Sequence, residues 1–190
     1  MYIDLRQILS SRPKRHRTSN NYTESAILIP IFCKEQEYHI LFTKRNENLL
    51  HHGGQISFPG GVRSKADTTL MDTALRESCE EIGLKPEDAD IIGELDDTPT
   101  TTSSFLITPF VALIPYPYQF IPNPHEIVDI FDVSIQALLY DIPVRIEPET
   151  IDGEPITEYF YSYGERVIWG ATARILTQLL DAIRKSSGAR

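Results

Sequence analysis

The chain has little cysteine, tryptophan or methionine: two, one and two residues respectively among 190. Cys33 and Cys79 lie far apart, with no CxxC or Cys/His spacing around either, which excludes a disulfide framework and a structural zinc site. Both are expected to be reduced thiols packed as small apolar groups. Basic residues are outnumbered, 18 against 27 acidic ones, and the formal charge of −9 disfavours a protein that grips nucleic acid through its phosphates. That mode needs a clustered basic surface. No apolar run approaches the length of a membrane span, and the basic N-terminus through Arg17 is not followed by the apolar stretch of a secretory signal. An intracellular, cytoplasmic protein with neither nucleic-acid nor membrane partners is expected, and a homodimer is compatible with these features.

An apolar fraction of 41% over 190 residues suffices for one full core. Residues 22–190 therefore read as a single domain, preceded by a basic N-terminal arm, residues 1–21, with a short helix. In that arm the apolar spacing of Ile3 to Leu9 leads into a polar run, Ser10 to Asn21, carrying Arg12, Lys14, Arg15 and Arg17. Such a run is expected to be solvated and partly mobile.

Ser25 to Phe32 and Tyr38 to Arg45 are apolar and β-branched around a polar turn, and read as adjacent strands. Gln55 to Phe58, Ile91 to Leu95, Leu106 to Ile114 and a stretch around Ile127 to Val133 read as further strands. Ser134 to Leu139 is a short helix, and Arg145 to Tyr161 a hairpin or long edge ribbon. Between the strands, Met71, Leu75 and Ile82 recur at helical spacing over Thr69 to Ile82, with Thr68 or Thr69 to cap the start and Gly83 to end it. A second helix, Ala171 to Lys185, carries Ile175, Leu176, Leu179, Leu180 and Ile183 on one face. The order of elements gives an α+β fold, a mixed sheet with helices packed against it.

The segment Arg76-Glu77-Ser78-Cys79-Glu80-Glu81-Ile82-Gly83-Leu84 carries the chemistry. At about 100° per residue, Glu77, Glu80 and Glu81 fall within roughly a third of the helix circumference, clear of the Met71/Leu75/Ile82 stripe. Like charges at this spacing cost roughly 0.2 to 0.5 kcal/mol per pair, and anions near a helix C-terminus oppose its dipole. A bound cation removes both penalties, and hard carboxylate oxygens suit Mg²⁺ or Mn²⁺. The plain alternative is a solvated charged face with Arg76 and Lys85 in partial compensation.

Gly61 to Leu84 resembles the Nudix box, G-x5-E-x7-R-E-U-x-E-E-x-G-U with U bulky and apolar. The second half is complete as Arg76, Glu77, Glu80, Glu81, Gly83 and Leu84. The first half departs from it, because Gly61 to Arg76 is one residue longer, the acidic position appears as Asp67, and Ser78 replaces an apolar residue. That longer spacing is similar to the coenzyme A pyrophosphatase subfamily, whose second motif runs roughly L-L-T-x-R-S-x-x-L-R-x-H-x-G-Q-V-S-F-P-G-G. Here Leu41, Thr43, Arg45, Leu49, His52, Gly54, Gln55 and Ser57 to Gly61 match, whereas Asn46, Leu50 and Ser64 depart. Asn123-Pro124-His125-Glu126-Ile127 adds looser similarity.

The resemblance implies the Nudix fold, an α/β/α sandwich with a mixed sheet between helices, and metal-dependent cleavage of a diphosphate in a small nucleotide-containing substrate. It implies Glu77 and Glu81 as metal ligands, with Glu80 a third or water-mediated one, and Arg76 orienting a glutamate within the catalytic group. Glu80 and Glu126 are both candidates for the general base. Arg45, His52, Gln55, Gly60 and Gly61 are the substrate-binding candidates, with His51 a weaker one. Coenzyme A is the first substrate implied; ADP-ribose or another nucleoside diphosphate derivative is the alternative. A nucleotide-sensing module without turnover is the reading from another class.

Overall fold

The computed structural model describes residues 4–17, 22–49, 52–100, 103–151 and 154–186. Leu50, His51 and residues 18–21 of the basic run lie outside them. The elements are, in chain order, α1 (Leu5–Ser10), β1 (Thr23–Lys34), β2 (Glu37–Arg45), β3 (Ile56–Ser57), β4 (Gly60–Val62) and α2 (Leu70–Ile82). A 3-10 turn at Pro86–Asp88 leads to β5 (Asp90–Glu94), β6 (Thr98–Pro99), β7 (Phe105–Leu113), β8 (Ile127–Ser134) and α3 (Ile135–Tyr140). β9 (Val144–Ile151), β10 (Glu154–Tyr163), β11 (Arg166–Ile168) and α4 (Gly170–Ser186) complete the described chain.

The main sheet runs β3-β2-β1-β7-β5, with β4 added to β1, β6 to β7 and β8 to β2. β1 and β7 are parallel and the other pairs antiparallel, so the sheet is mixed. The alternation of β1 divides the core in two. Ala26, Leu28 and Phe32 face Ala74 and Ile82 of α2, while Ile29 and Ile31 join Leu9 of α1, Leu138 of α3 and Leu176 and Leu180 of α4. Helices thus cover both faces, as an α/β/α sandwich requires. β9, β10 and β11 form a separate three-stranded sheet whose Tyr161 and Ile168 reach the α4 side of the core.

Pro30 lies inside β1 with no N–H to donate. On the side away from β7, β1 pairs β4 at Ser25–Ile27 and β2 from Ile31 onward, so the proline falls in the gap between two partners. That gap brings the Gly60 turn onto a core strand.

Three expectations are corrected. On α2 the buried line is Ala74, Ser78 and Ile82, with Thr73 and Glu81 beside it, whereas Met71 is exposed. Small side chains let the helix sit close to β1, and that proximity buries Glu81. The basic segment is not a solvated arm over residues 4–17. Leu5 and Leu9 are buried, Arg12 pairs with Asp96 at 2.6 Å, Lys14 pairs with Glu94, and the Arg17 amide donates to Asp97 at 3.0 Å. Acidic groups at the end of β5 and just after it neutralise Arg12 and Lys14 and accept from the Arg15 and Arg17 amides, while the Arg15 and Arg17 residues themselves stay exposed. Finally, Cys33 and Cys79 are free thiols, as expected, but both are exposed rather than packed.

Candidate active site

Local sequence fixes the ends of α2. The Thr69 side chain accepts from the Asp72 amide at 3.1 Å while the Asp72 carboxylate accepts from the Thr69 amide at 2.8 Å, a reciprocal cap. Gly83, at φ 68°, ends the helix in the left-handed conformation, its amide bonded to the Cys79 carbonyl. Further carbonyls at this end are met by the segment before β8: the Ile121 amide donates to Ile82, and the Asn123 amide to Glu81, each at 2.9 Å. The same segment is tied to the end of β2, since the Asn46 amide donates to the Glu126 carbonyl at 2.7 Å and the Asn46 side chain to Pro124 at 3.0 Å.

Glu81 is 1% exposed. One carboxylate oxygen accepts from the Gly60 amide at 3.1 Å and the other from Arg45 Nη1 at 3.2 Å. Burial is the main reason its pKa rises to about 7, opposed by the Gly60 and Arg45 contacts and assisted by the charges of Glu77 and Glu126. Glu77 is pushed upward for the same leading reason. A Cβ built on Gly61 would stand 2.5 Å from the Glu77 carboxyl carbon, so this carboxylate occupies the space that the glycine leaves open.

Arg76 is the hub beside them. It clamps Asp67 through two bonds, Nε to Oδ1 at 2.9 Å and Nη2 to Oδ2 at 3.0 Å, and offers Nη1 to Glu77 at 2.8 Å and Glu80 at 3.0 Å. Asp67 also accepts from the Ser64 amide and Thr73 Oγ1. The Arg76 guanidinium, with these donors, holds the Asp67 carboxyl far below the usual range, and Asp67 in turn raises Arg76. Ser78, at the position where an apolar residue is usual, is buried and satisfied by the Ala74 carbonyl at 2.7 Å.

The structure thus brings Arg45, Gly60, Gly61, Arg76, Glu77, Glu80 and Glu81 together, with Glu126 held by Asn123 Nδ2 at 3.0 Å and felt electrostatically by both Glu77 and Glu81. Glu80 is exposed and turned to Arg76. His52 and Gln55 contact each other, Nδ1 to Oε1 at 3.1 Å, rather than the glutamates, and the Gln55 carbonyl accepts from the Arg45 amide at 2.9 Å. Sequence reasoning gave no part to Asn46 or Asn123; the Asn-Pro turn at 123–124 was the available signal for the latter.

Among the described residues no cluster of three His, Cys, Asp or Glu side chains is already assembled to hold a metal ion. The donor chemistry nonetheless fits one, because two desolvated carboxylates, Glu77 and Glu81, meet a glycine turn that a Cβ would fill. Two clefts of about 650 and 620 Å³ lie elsewhere, one at His39, Asp132 and Arg166, the other at Arg12, Asp96 and Gln178.

A NUDIX domain profile matches residues 22–157. The chain is 35% identical over 172 residues to the Nudix hydrolase NudL of Photorhabdus laumondii, covering 90% of this chain and 91% of that one. A MutT/nudix family protein from Enterococcus faecalis shares the fold at a TM-score of 0.60 and 11% identity, over 93% of this chain and 66% of that one. The NUDIX domain of Shewanella oneidensis NrtR, solved with ADP ribose, does so at 0.51 and 15%, over 64% and 78%. With its domain matched over residues 22–157 and a relative alike along nearly the whole length, the chain belongs to the Nudix hydrolase family, enzymes that act on pyrophosphate bonds.

Proposed function

We propose that this protein hydrolyses the diphosphate bond of coenzyme A or its acyl derivatives, giving 4′-phosphopantetheine, or its acyl form, and 3′,5′-ADP. The observation that carries this reading is the run Leu41 to Gly61, which resembles the second motif of coenzyme A pyrophosphatases and adjoins the glutamates through Arg45 and Gly60. Residues 22–190 form the catalytic unit in this reading.

Nudix hydrolases generally use divalent metal ions. Here Glu77 and Glu81 would hold Mg²⁺ or Mn²⁺, with Glu80 third or through water. The chemistry supplied by the bound ion is charge neutralisation of the diphosphate and acidification of the attacking water. Arg76 keeps Glu77 and Glu80 aimed. Arg45, His52 and Gln55 bind substrate, and Gly60 and Gly61 let it approach the backbone.

Of the two candidates for general base, Glu126 is favoured, because Glu80 is committed to Arg76 while the charge of Glu126 is felt by both Glu77 and Glu81. Glu126 takes the water's proton as the oxygen attacks phosphorus in line. The second reading is ADP-ribose cleavage, and it gains weight only as Asn46, Leu50 and Ser64 depart from the coenzyme A pyrophosphatase pattern, Leu50 standing where the subfamily has arginine. A substrate panel with product analysis separates the two. Coenzyme A should give the higher kcat/KM, and AMP with ribose 5-phosphate as the faster products would transfer the assignment to ADP-ribose. Binding without turnover at saturating Mg²⁺ would instead indicate a sensing module. Full turnover after exhaustive chelation would remove the metal from the mechanism.

A further inference from the structure

The two arginines of the site hold their carboxylates in different ways. Arg76 binds Asp67 by a two-bond fork at 2.9 and 3.0 Å, the strong geometry for this pair. Arg45 meets Glu81 by one bond from Nη1 at 3.2 Å, and its buried Nε has no hydrogen-bond partner among the described residues. Glu81 is 1% exposed and its second oxygen is taken by the Gly60 amide, so Arg45 is the cation that compensates a buried anion. The contact is necessary and geometrically poor.

We infer that Arg45 is a placeholder for the divalent cation: it neutralises Glu81 in the metal-free protein, and is displaced when the ion takes that carboxylate, freeing its guanidinium for a substrate phosphate. This rests on the reading of Glu81 as a metal ligand. It imposes an order, cation first and phosphate second, and makes the two ligands cooperative through one side chain. A fixed structural pair would not behave so.

The test is Mn²⁺ binding to metal-free protein, followed by electron paramagnetic resonance of the free ion, for wild type, Arg45→Gln and Glu81→Gln. Removing the competitor should tighten Mn²⁺ binding to Arg45→Gln by at least about fivefold, and by linkage its lower metal-free Tm should approach wild type at saturating Mn²⁺. Equal or weaker affinity, or an undiminished Tm gap, would overturn the exchange. Should Arg45→Gln not fold, wild type supplies the second measurement. Mg²⁺ should speed rotation of the Arg45 guanidinium in ¹⁵N NMR, and unchanged signals would likewise overturn the exchange. Mn²⁺ binding undiminished in Glu81→Gln would show that Glu81 is no ligand, and would sink both readings. Binding lost in Glu81→Gln but unaltered in Arg45→Gln would sink only the exchange.

Discussion

Gly60 and Gly61 are neighbours in sequence and face different constraints. A Cβ on Gly60 would strike the Ala26 carbonyl oxygen at 2.4 Å, and the residue sits at φ 152°; a Cβ on Gly61 would first meet the carboxylate of Glu77, at 2.5 to 2.6 Å. The first obstacle is backbone of the central strand. The second is the movable end of a side chain.

The two alanine variants should therefore fail differently. Gly60→Ala forces β4 off β1 and should lower stability by about 2 kcal/mol or more, through strain at a backbone conformation that side chains rarely adopt. Gly61→Ala should fold with nearly the wild-type Tm and lose at least about tenfold in kcat, or roughly 1.4 kcal/mol, by moving Glu77. Melting temperature and kcat on the best substrate measure both, and an active Gly61→Ala would mean that Glu77 does not work from this position.

Glu81→Gln should lose about a hundredfold or more in kcat, roughly 2.7 kcal/mol, while its metal-free form stays as stable as wild type or more so. The sign follows from the raised pKa of about 7. A carboxyl whose folded pKa lies above its unfolded one favours the fold most below about pH 4, and that contribution is lost as the pH rises toward 7. Metal-free wild type should thus lose stability over that window, on the order of 2 kcal/mol, and the glutamine variant should not. Parallel pH–stability curves for the two proteins would refute this.

Asp67→Asn should lower Tm and reduce kcat by about tenfold, because Arg76 loses its two-bond partner and Glu77 and Glu80 lose a fixed donor. Here the folded pKa is depressed by Arg76. The wild-type advantage should be complete above about pH 4 and fade only as the pH falls through the lower folded value. A constant difference in acid would show that shape, not charge, is what Asp67 supplies.

Leu9→Ala should cost about 2 to 4 kcal/mol, as deletion of a buried leucine does. Leu9 is 4% exposed and packs on Gly93, where a Cβ would lie 2.6 Å from the leucine's own. Below its new Tm the variant should keep wild-type kcat, because the N-terminal segment touches β5 and α4 rather than the glutamates. A change of less than about 0.5 kcal/mol would make that segment an ornament on the fold.

What the sequence made legible was what depends on short separations. The α2 caps, the glutamate spacing and the apolar face of α4 are all read within a few turns, and the structure has them. The burial of Glu81 was hidden because helical periodicity classes a glutamate as polar, and only the close approach that Ala74 and Ser78 allow brings that side under the sheet. The basic run looked solvated because Glu94, Asp96 and Asp97, its partners, lie some 80 residues away. The family resemblance placed Arg45 near the chemistry; its bond to Glu81 spans 36 residues and has no local sign.

The parallel pairing of β1 with β7 bears on how the protein is made. β1 emerges from the ribosome first and β7 some 80 residues later, with β4 and α2 between them. Until residue 113 is out, β1 lacks the neighbour that completes one of its edges, and Glu77 and Glu81 are carried by a half-built sheet. Such non-local pairing is slow to form and leaves strand edges open meanwhile. The carboxylates that the finished protein desolvates therefore stay in water while the chain from α2 to the end of β7 is made, where their mutual repulsion is cheap, and lose that water when the parallel strand docks.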